Sequence, residues 1–359
     1  FVSYFCILKY RLMSKFHKLT IQKIIKETAD AVSILFTIPK HLKEDFSFEA
    51  GQYITLKANI NGNEVRRAYS ICASPKSNQL KVAVKAVENG IFSTFATTTL
   101  KEGDELDVFV PEGKFVLNPE ANKNYIAFAA GSGITPVMSM IKTVLENENS
   151  STFTLIYGNK SADKTIFKNE LDALLEKHSA NFNLHYVFSQ ETNAEDKFGR
   201  IDTGITNYFV KNIYKETSFD AAFLCGPETM IHSVSETLQE NNFDKNAIHF
   251  ELFTASTEEN GVEIEEGKTE ITVLLDDEET SFIMDKTDDI LAASLRNNLD
   301  APYSCQGGVC SSCLCKVTEG KAVMTKNSIL TDGEVEEGFV LACQAHPTTA
   351  KIVIDFDDV

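Results

Sequence analysis

Between residues 18 and 117 the chain alternates apolar and polar side chains in short runs, the period of half-buried strands. The runs are Lys18–Ile24, Val32–Ile38, Gln52–Ala58, Leu80–Lys85 and Glu105–Val110, punctuated by turn signals such as Asn61-Gly62 and Glu102-Gly103-Asp104. Many short strands without a long helix predict an antiparallel barrel or sandwich. From Asn124 the pattern changes. Apolar strands at Tyr125–Ala130, Phe153–Tyr157, Asn183–Phe188 and Ala221–Cys225 are interleaved with helical stretches at Pro136–Glu146 and Lys164–His178. Strands alternating with helices predict βαβ units and a parallel sheet. A third texture follows: strands Glu270–Leu275 and Thr280–Met284, a helix Asp289–Asn298, a cysteine loop, a strand Cys315–Thr318 and a last strand Lys351–Phe356. The expected fold is therefore multidomain, and no internal repeat is evident.

Composition is that of an ordinary globular protein: of 359 residues, 43% are hydrophobic and 24% charged. No apolar run approaches the roughly 18 residues that cross a bilayer. The net charge of −18 argues against a phosphate-binding nucleic-acid surface. Residues 256–359 hold 22 acids against 7 bases, net −15, whereas the first 255 residues are nearly balanced at −3. Ser256–Gly267, polar and glycine-containing, reads as a linker between those two parts. Residues 1–12 precede Met13 and read as an N-terminal extension outside the fold. The acidity of the last segment keeps a protein soluble, and it also suits steering toward a basic docking face, which would make partner reduction sensitive to ionic strength. Neither nucleic acid nor membrane is an expected partner, and the expected location is the cytoplasm.

Cys305, Cys310 and Cys313 are spaced C-x4-C-x2-C, with Cys343 thirty residues further on. This resembles the spacing of plant-type [2Fe–2S] ferredoxins. Two irons need four convergent thiolates, and Gly307 and Gly308 let the loop wrap closely and aim N–H groups at sulfur. A four-cysteine zinc site would draw on paired C-x2-C knuckles, of which there is one, and a disulfide framework would be unusual without a secretory signal. Cys315, two residues past Cys313, reads as a packed thiol.

Two further motifs follow strands and open helices. In Gly131-Ser-Gly-Ile-Thr-Pro136 the glycines allow close backbone approach to a phosphate at a helix N-terminus, and a plain strand-to-helix turn explains them as well. Cys225-Gly-Pro-Glu-Thr-Met230 has the same context, and its Cys is by itself a packing residue. In a doubly wound sheet both turns lie at the carboxyl edge, where ligands bind. Arg67-Ala-Tyr69-Ser70 ends a β-segment and offers a phosphate fork, a stacking ring and a donor, yet alone it could be an exposed surface tetrapeptide.

Taken in order, these motifs resemble the ferredoxin–NADP⁺ reductase superfamily with a fused C-terminal ferredoxin, over nearly all of residues 14–359. The resemblance implies an FAD-binding β-barrel (13–118), an α/β nucleotide-binding domain (119–255) and, after a linker (256–267), a β-grasp [2Fe–2S] domain (268–359). It implies that Arg67 binds the FAD pyrophosphate, Tyr69 stacks on the flavin and Ser70 lies near N5. Val84, Lys85 and Val87 would run beside the ribose and pyrophosphate, and Gly90 and Ser93 would form the phosphate turn. Gly131, Gly133 and Thr135 would contact the nicotinamide nucleotide, Cys225 would sit near the hydride-bearing carbon, and Phe253, after Glu251, would guard the flavin face. Cys305, Cys310, Cys313 and Cys343 would hold the cluster. Lys160, Ser161 and Lys164 point to NADPH; Asp163 dissents, and NADH is the alternative.

The implied chemistry splits an electron pair: NAD(P)H delivers two electrons to FAD, and the cluster accepts them singly. The implied partner is an oxygenase, phenylacetyl-CoA epoxidase first, with a ring-hydroxylating oxygenase or the hybrid-cluster protein as alternatives. A structural zinc or redox-sensing module is the non-enzymatic alternative.

Overall fold

The computed structural model describes residues 16–147, 150–192, 197–253, 264 and 266–359. Lys18–Phe253 forms one compact unit and the C-terminal segment another. The expected extension (1–12) and most of the expected linker (256–267) lie outside the described residues.

The first unit opens with strands β1 (Phe16–Lys26), β2 (Ala31–Thr37), β3 (Tyr53–Ile60), β4 (Asn63–Ser70) and β5 (Leu80–Lys85), a helix α1 (Ile91–Thr98), and β6 (Glu105–Phe109). Their order is β4-β3-β6-β1-β2-β5, and an Ile71–Val82 bridge brings the two edges together into the expected antiparallel barrel. Leu19, Ile34, Ile54, Leu56, Val82 and, from α1, Phe92 fill its interior. The sequence placed only the end of β4, Arg67–Ser70, in a β-segment, and α1 did not stand out. The strand Asn63-Glu-Val-Arg-Arg-Ala-Tyr-Ser70 is polar because it carries ligand-type side chains, and α1 is too short for a helical period to register.

Next come β7 (Asn124–Ala130), α2 (Ile134–Leu145), β8 (Thr152–Asn159), α3 (Lys168–Lys177), β9 (Phe182–Phe188), β10 (Lys197–Phe198), α4 (Thr203–Asn207), β11 (Ala221–Cys225), α5 (Glu228–Glu240) and β12 (Ile248–Glu251). They form a sheet ordered β10-β9-β8-β7-β11-β12, with every pairing parallel. The chain winds outward from β7 to β9 and then restarts on the other side at β11. The β7–β11 boundary is therefore the topological switch point, where the two glycine turns meet. α3 begins four residues later than expected, because Phe167 adopts a left-handed φ of 61° that no helix continues through.

Beside the barrel's own core, a second core joins barrel and sheet. Ala50, Cys72 and Phe115 from the barrel side pack in the same cluster as Met140, Tyr125 and Phe223. Ser139 Oγ donates to the Ala73 carbonyl at 2.6 Å, and Lys142 Nζ donates to that of Cys72 at 3.1 Å.

The second unit contains β13 (Lys268–Leu275), β14 (Glu278–Asp285), α6 (Ile290–Arg296), β15 (Leu314–Glu319), β16 (Ala322–Met324), α7 (Asp332–Glu336), β17 (Phe339–Leu341), β18 (Ala345–Pro347) and β19 (Lys351–Asp355). A mixed sheet ordered β14-β13-β19-β15-β17 carries α6, with Ile271, Ile290, Leu291, Leu341 and Ile354 in its core, the β-grasp arrangement. β16 and β18 form a separate pair. Among the described residues no helix is long and apolar enough to cross a membrane.

Candidate redox site

On β4, Arg66 is buried at 5% exposure and pairs with Glu64 at 2.8 Å, while Arg67 is exposed and spends one donor on the Arg66 carbonyl at 2.6 Å. Arg67 is thus the arginine available to an anion. Tyr69 is half-buried, its ring 5.6 Å from that of Phe92. Burial raises its phenol pKa against the opposing charge of Arg67. Ser70, at the end of β4, is buried and donates from Oγ to Glu251 Oε2 at 3.2 Å, across 181 residues of sequence.

Glu251 ends β12 and stands beside Cys225 in the parallel register. Ser70, Cys225 and Glu251 therefore meet where the barrel joins the carboxyl edge of the sheet. Burial pushes the Glu251 carboxyl up to about 8, with the Ser70 hydrogen bond acting against it. Cys225 is completely buried, and burial, reinforced by the charge of Glu251, holds its thiol well above the ordinary range. Phe253, two residues further on, is exposed.

The segment after β5 divides its tasks. The Val84 side chain lies in the barrel core, so its main chain is what a ligand can reach. Lys85 faces Asp30 at 3.9 Å, and Val87 is exposed. The Ser93 hydroxyl accepts from the Val87 N–H at 3.2 Å and donates to the Gly90 carbonyl at 3.4 Å, so it ties the turn together from inside. Gly90 caps α1 with no side-chain hydrogen bond to the first-turn N–H groups.

At the switch point, Gly131 has φ 55°, open space where a Cβ would be, and a carbonyl that accepts from Tyr157 Oη at 2.9 Å. Gly133 has a different reason to be glycine: a Cβ there would collide with the Cys225 carbonyl group and the Gly226 nitrogen. Its role is to let the two turns touch. Thr135 is buried and donates to the Ser132 carbonyl at 3.0 Å. Lys160 is exposed just past β8. There Ser161 Oγ donates to Asp163 at 2.5 Å, and the Ala162 N–H donates to Glu191 Oε2 at 2.7 Å. Glu191 escaped the sequence analysis because nothing local ties an acid after β9 to a turn after β8.

In the second unit the loop from Cys305 to Cys313 uses left-handed backbone at Gln306 (φ 53°) and Gly308 (φ 71°). The Gly307 N–H donates to Cys305 Sγ at 3.3 Å. A Cβ on Gly308 would press on Gln344 and on the Lys326 carbonyl, so glycine lets the loop lie against the segment bearing Cys343. The Ala342 N–H donates to the Cys313 carbonyl at 2.9 Å, which fixes that segment. The four sulfurs interact. Hydrogen bonding from Cys310, then Cys343, lowers the Cys305 thiol, and the same contact together with burial raises Cys310. Cys343 is raised by its contacts with Cys305 and Cys313 and by burial. Cys315 lies completely buried in the core, its Sγ 3.7 Å from the Val340 carbonyl.

Among the described residues no three His, Cys, Asp or Glu side chains are arranged to hold one metal ion. A two-iron cluster makes a different demand, two thiolates on each iron with sulfide completing the coordination, and four convergent cysteines meet it. Among the described residues, Thr55 Oγ1 and Ser304 Oγ are buried without a partner. Thr55 sits on β3 opposite Ala68 of the Arg67–Ser70 strand, and Ser304 precedes Cys305. Buried polar groups are nearly always satisfied, so the Ser304 orphan fits a bound group at the cysteine loop.

Fold and site together define a three-domain flavin and iron–sulfur oxidoreductase. The oxidoreductase FAD-binding domain family matches residues 18–117, the oxidoreductase NAD-binding domain family 128–236, and the 2Fe-2S iron-sulfur cluster binding domain family 273–348. The chain is 40% identical over 351 residues to the E component of 1,2-phenylacetyl-CoA epoxidase of Escherichia coli K12, covering 96% of this chain and 99% of that one. It is 31% identical to the ferredoxin reductase component of 3-ketosteroid-9-alpha-monooxygenase of Rhodococcus rhodochrous, covering 94% and 96%. The structure of phthalate dioxygenase reductase, described as modular for electron transfer from pyridine nucleotides to [2Fe–2S], matches with TM-score 0.60 at 26% identity, over 95% of this chain and 98% of that one. The chain belongs to this family of ferredoxin-reductase-type oxidoreductases, and transfers electrons from NAD(P)H through FAD and a [2Fe–2S] cluster.

Proposed function

We propose that this protein is the reductase component of an oxygenase system, with phenylacetyl-CoA epoxidase as its electron acceptor, working in the cytoplasm. The observation that carries the reductase site is the convergence of Ser70, Cys225 and Glu251 from strand ends far apart in sequence. The partner rests on the 40% identity to the Escherichia coli epoxidase component, which covers 99% of that protein. When bound, FAD and the cluster supply the conversion between a two-electron hydride donor and a one-electron acceptor.

The chain's own residues bind, orient and shield. In this assignment residues 13–118 hold FAD, 119–255 the nicotinamide nucleotide and 268–359 the cluster. Arg67 meets the pyrophosphate, as does the turn from Gly90 to Ser93, which the Ser93 hydroxyl braces. Val84 and Lys85 line the path with main chain, and Tyr69 offers its ring to the flavin. Ser70 and Glu251 form one hydrogen-bonded pair that can hold a proton at neutral pH near flavin N5. Cys225 shapes the nicotinamide pocket, and Phe253 covers the flavin face. Gly131, Gly133 and Thr135 build the turn for the nucleotide. Lys160 favours the 2′-phosphate of NADPH, opposed by Asp163 and Glu191, so NADH is accepted as well. Cys305, Cys310, Cys313 and Cys343 ligate the cluster.

The test is the absorption spectrum of the purified protein before and after anaerobic NADPH, then NADH. The expected result is flavin bands with an iron–sulfur shoulder, bleached by the nucleotide. Reconstitution with the oxygenase subunits of a phenylacetyl-CoA epoxidase should then give product. A reduced protein that fails there but drives a ring-hydroxylating oxygenase would overturn the partner, and a colourless zinc protein would overturn the reductase.

A further inference from the structure

Around the cysteine sulfurs the Gly307 N–H donates to Cys305 Sγ at 3.3 Å, the Cys310 thiol donates to Ser312 Oγ at 3.7 Å, and Gln344 Nε2 donates to the Cys343 carbonyl at 2.8 Å and reaches Cys343 Sγ at 3.8 Å. Ser304 differs from these. Its side chain is 1% exposed and its hydroxyl has no partner, although it directly precedes the first cysteine of the loop. A hydroxyl buried without a partner carries a desolvation penalty that alanine at the same place would avoid. A group bound at the cysteine loop when the protein is loaded would supply an acceptor. Beside Cys305 the acceptors added on loading are sulfide and thiolate sulfur.

We propose that the Ser304 hydroxyl donates a hydrogen bond to a sulfur of the [2Fe–2S] group held by Cys305, Cys310, Cys313 and Cys343, and that this bond raises the reduction potential of the group. The inference rests on the ligand assignment above. Reduction adds one negative charge to the cluster. A donor aimed at sulfur therefore stabilises the reduced state more than the oxidised one. Ser304 is thus a positioning residue that acts on the ease of accepting an electron and leaves nucleotide binding alone.

The experiment uses the full-length loaded protein. Iron and sulfide are counted first in the wild type; their absence would overturn the ligand assignment itself, a failure distinct from the ones that follow. The midpoint potential is then measured by potentiometric titration followed by EPR, for the wild type, Ser304→Ala, Ser304→Gly and Ser304→Thr. Fe–S stretching frequencies are recorded for each in H₂O and D₂O. The expected result is a potential shifted to more negative values in S304A and S304G, recovery toward wild type in S304T, and a smaller deuterium shift in the two hydroxyl-free variants. Full iron content with wild-type potential and deuterium shift in S304A overturns the proposal. Should S304A and S304G both lose the cluster while S304T keeps it at wild-type potential, the hydroxyl bond is upheld. Loss in all three assigns Ser304 to packing and overturns it.

Discussion

Glu251 shows how burial changes a single group. Its carboxyl titrates near 8 where an exposed one titrates near 4.5, so the folded protein holds a proton that the unfolded chain has released. The sign follows: between about pH 4.5 and 8 the folded state binds more protons, and stability falls as pH rises through that window. Glu251→Gln should remove this slope. Urea unfolding at pH 5 and pH 8 should show the wild type losing on the order of 3 kcal/mol more than the variant, once partial solvent access is discounted. Parallel loss in the two proteins would contradict the assignment of the proton. The cysteine ligand candidates were legible from spacing alone, because four thiols within forty residues have few other uses. Ser304 and Glu191 were not legible. A serine before a cysteine and an acid after a strand are common, and their roles depend on which atoms the fold leaves without partners or brings near.

Among the elements, the two strand-to-helix turns depend on each other. A Cβ on Gly133 would meet the backbone of Cys225 and Gly226, which cannot rotate away as a flexible side chain would. Gly133→Ala should therefore cost about 2 kcal/mol of stability, the usual scale of overpacking, and weaken nucleotide binding along with it. Thermal unfolding and a titration with nucleotide check both, and an unchanged melting temperature would show that the turns can part freely. The motif predicted that Gly131 and Gly133 share a phosphate-binding task. The structure separates them, giving Gly131 the left-handed turn and open space and Gly133 the packing of one turn on the other. The strands of the parallel sheet were easy to find, since a strand buried on both faces is a continuous apolar run. The β4 strand was legible only at its end, Arg67–Ser70, because the same residues that suit it to a ligand hide its period.

At the scale of the whole molecule, a partly buried charge cluster links barrel and sheet. Glu170 from α3 pairs with Lys142 at 2.7 Å and with Lys81 at 3.8 Å, and Lys81 also reaches Glu27 at 3.7 Å. Burial raises the Glu170 pKa, but the charge and hydrogen bond of Lys142, helped by Lys81, prevail and leave it lowered. Its contribution is therefore present at neutral pH and is lost as pH falls through that lowered value. Glu170→Ala would leave two mostly buried lysines without their shared partner. It should cost about 1–2 kcal/mol, less than a fully buried pair because Glu170 retains solvent access. Denaturation at pH 7 measures this, and a value near zero would mean that the lysines find water instead. The sequence divides this region near residue 118, yet one of its two cores takes residues from both sides of that boundary. Ala50, Cys72 and Phe115 pack with Met140 and Phe223, a contact between segments that no local pattern records.

The sequence by itself determined the three textures, the cysteine ligand candidates and the order of the motifs, because each rests on spacing, period or composition within a few tens of residues. Tertiary structure alone decided which arginine of β4 stays exposed, why Gly133 is glycine, how Ser70 reaches Glu251 across 181 residues, and which buried hydroxyl lacks a partner. Those are matters of distance through space. The chain encodes them only in the sum of its packing.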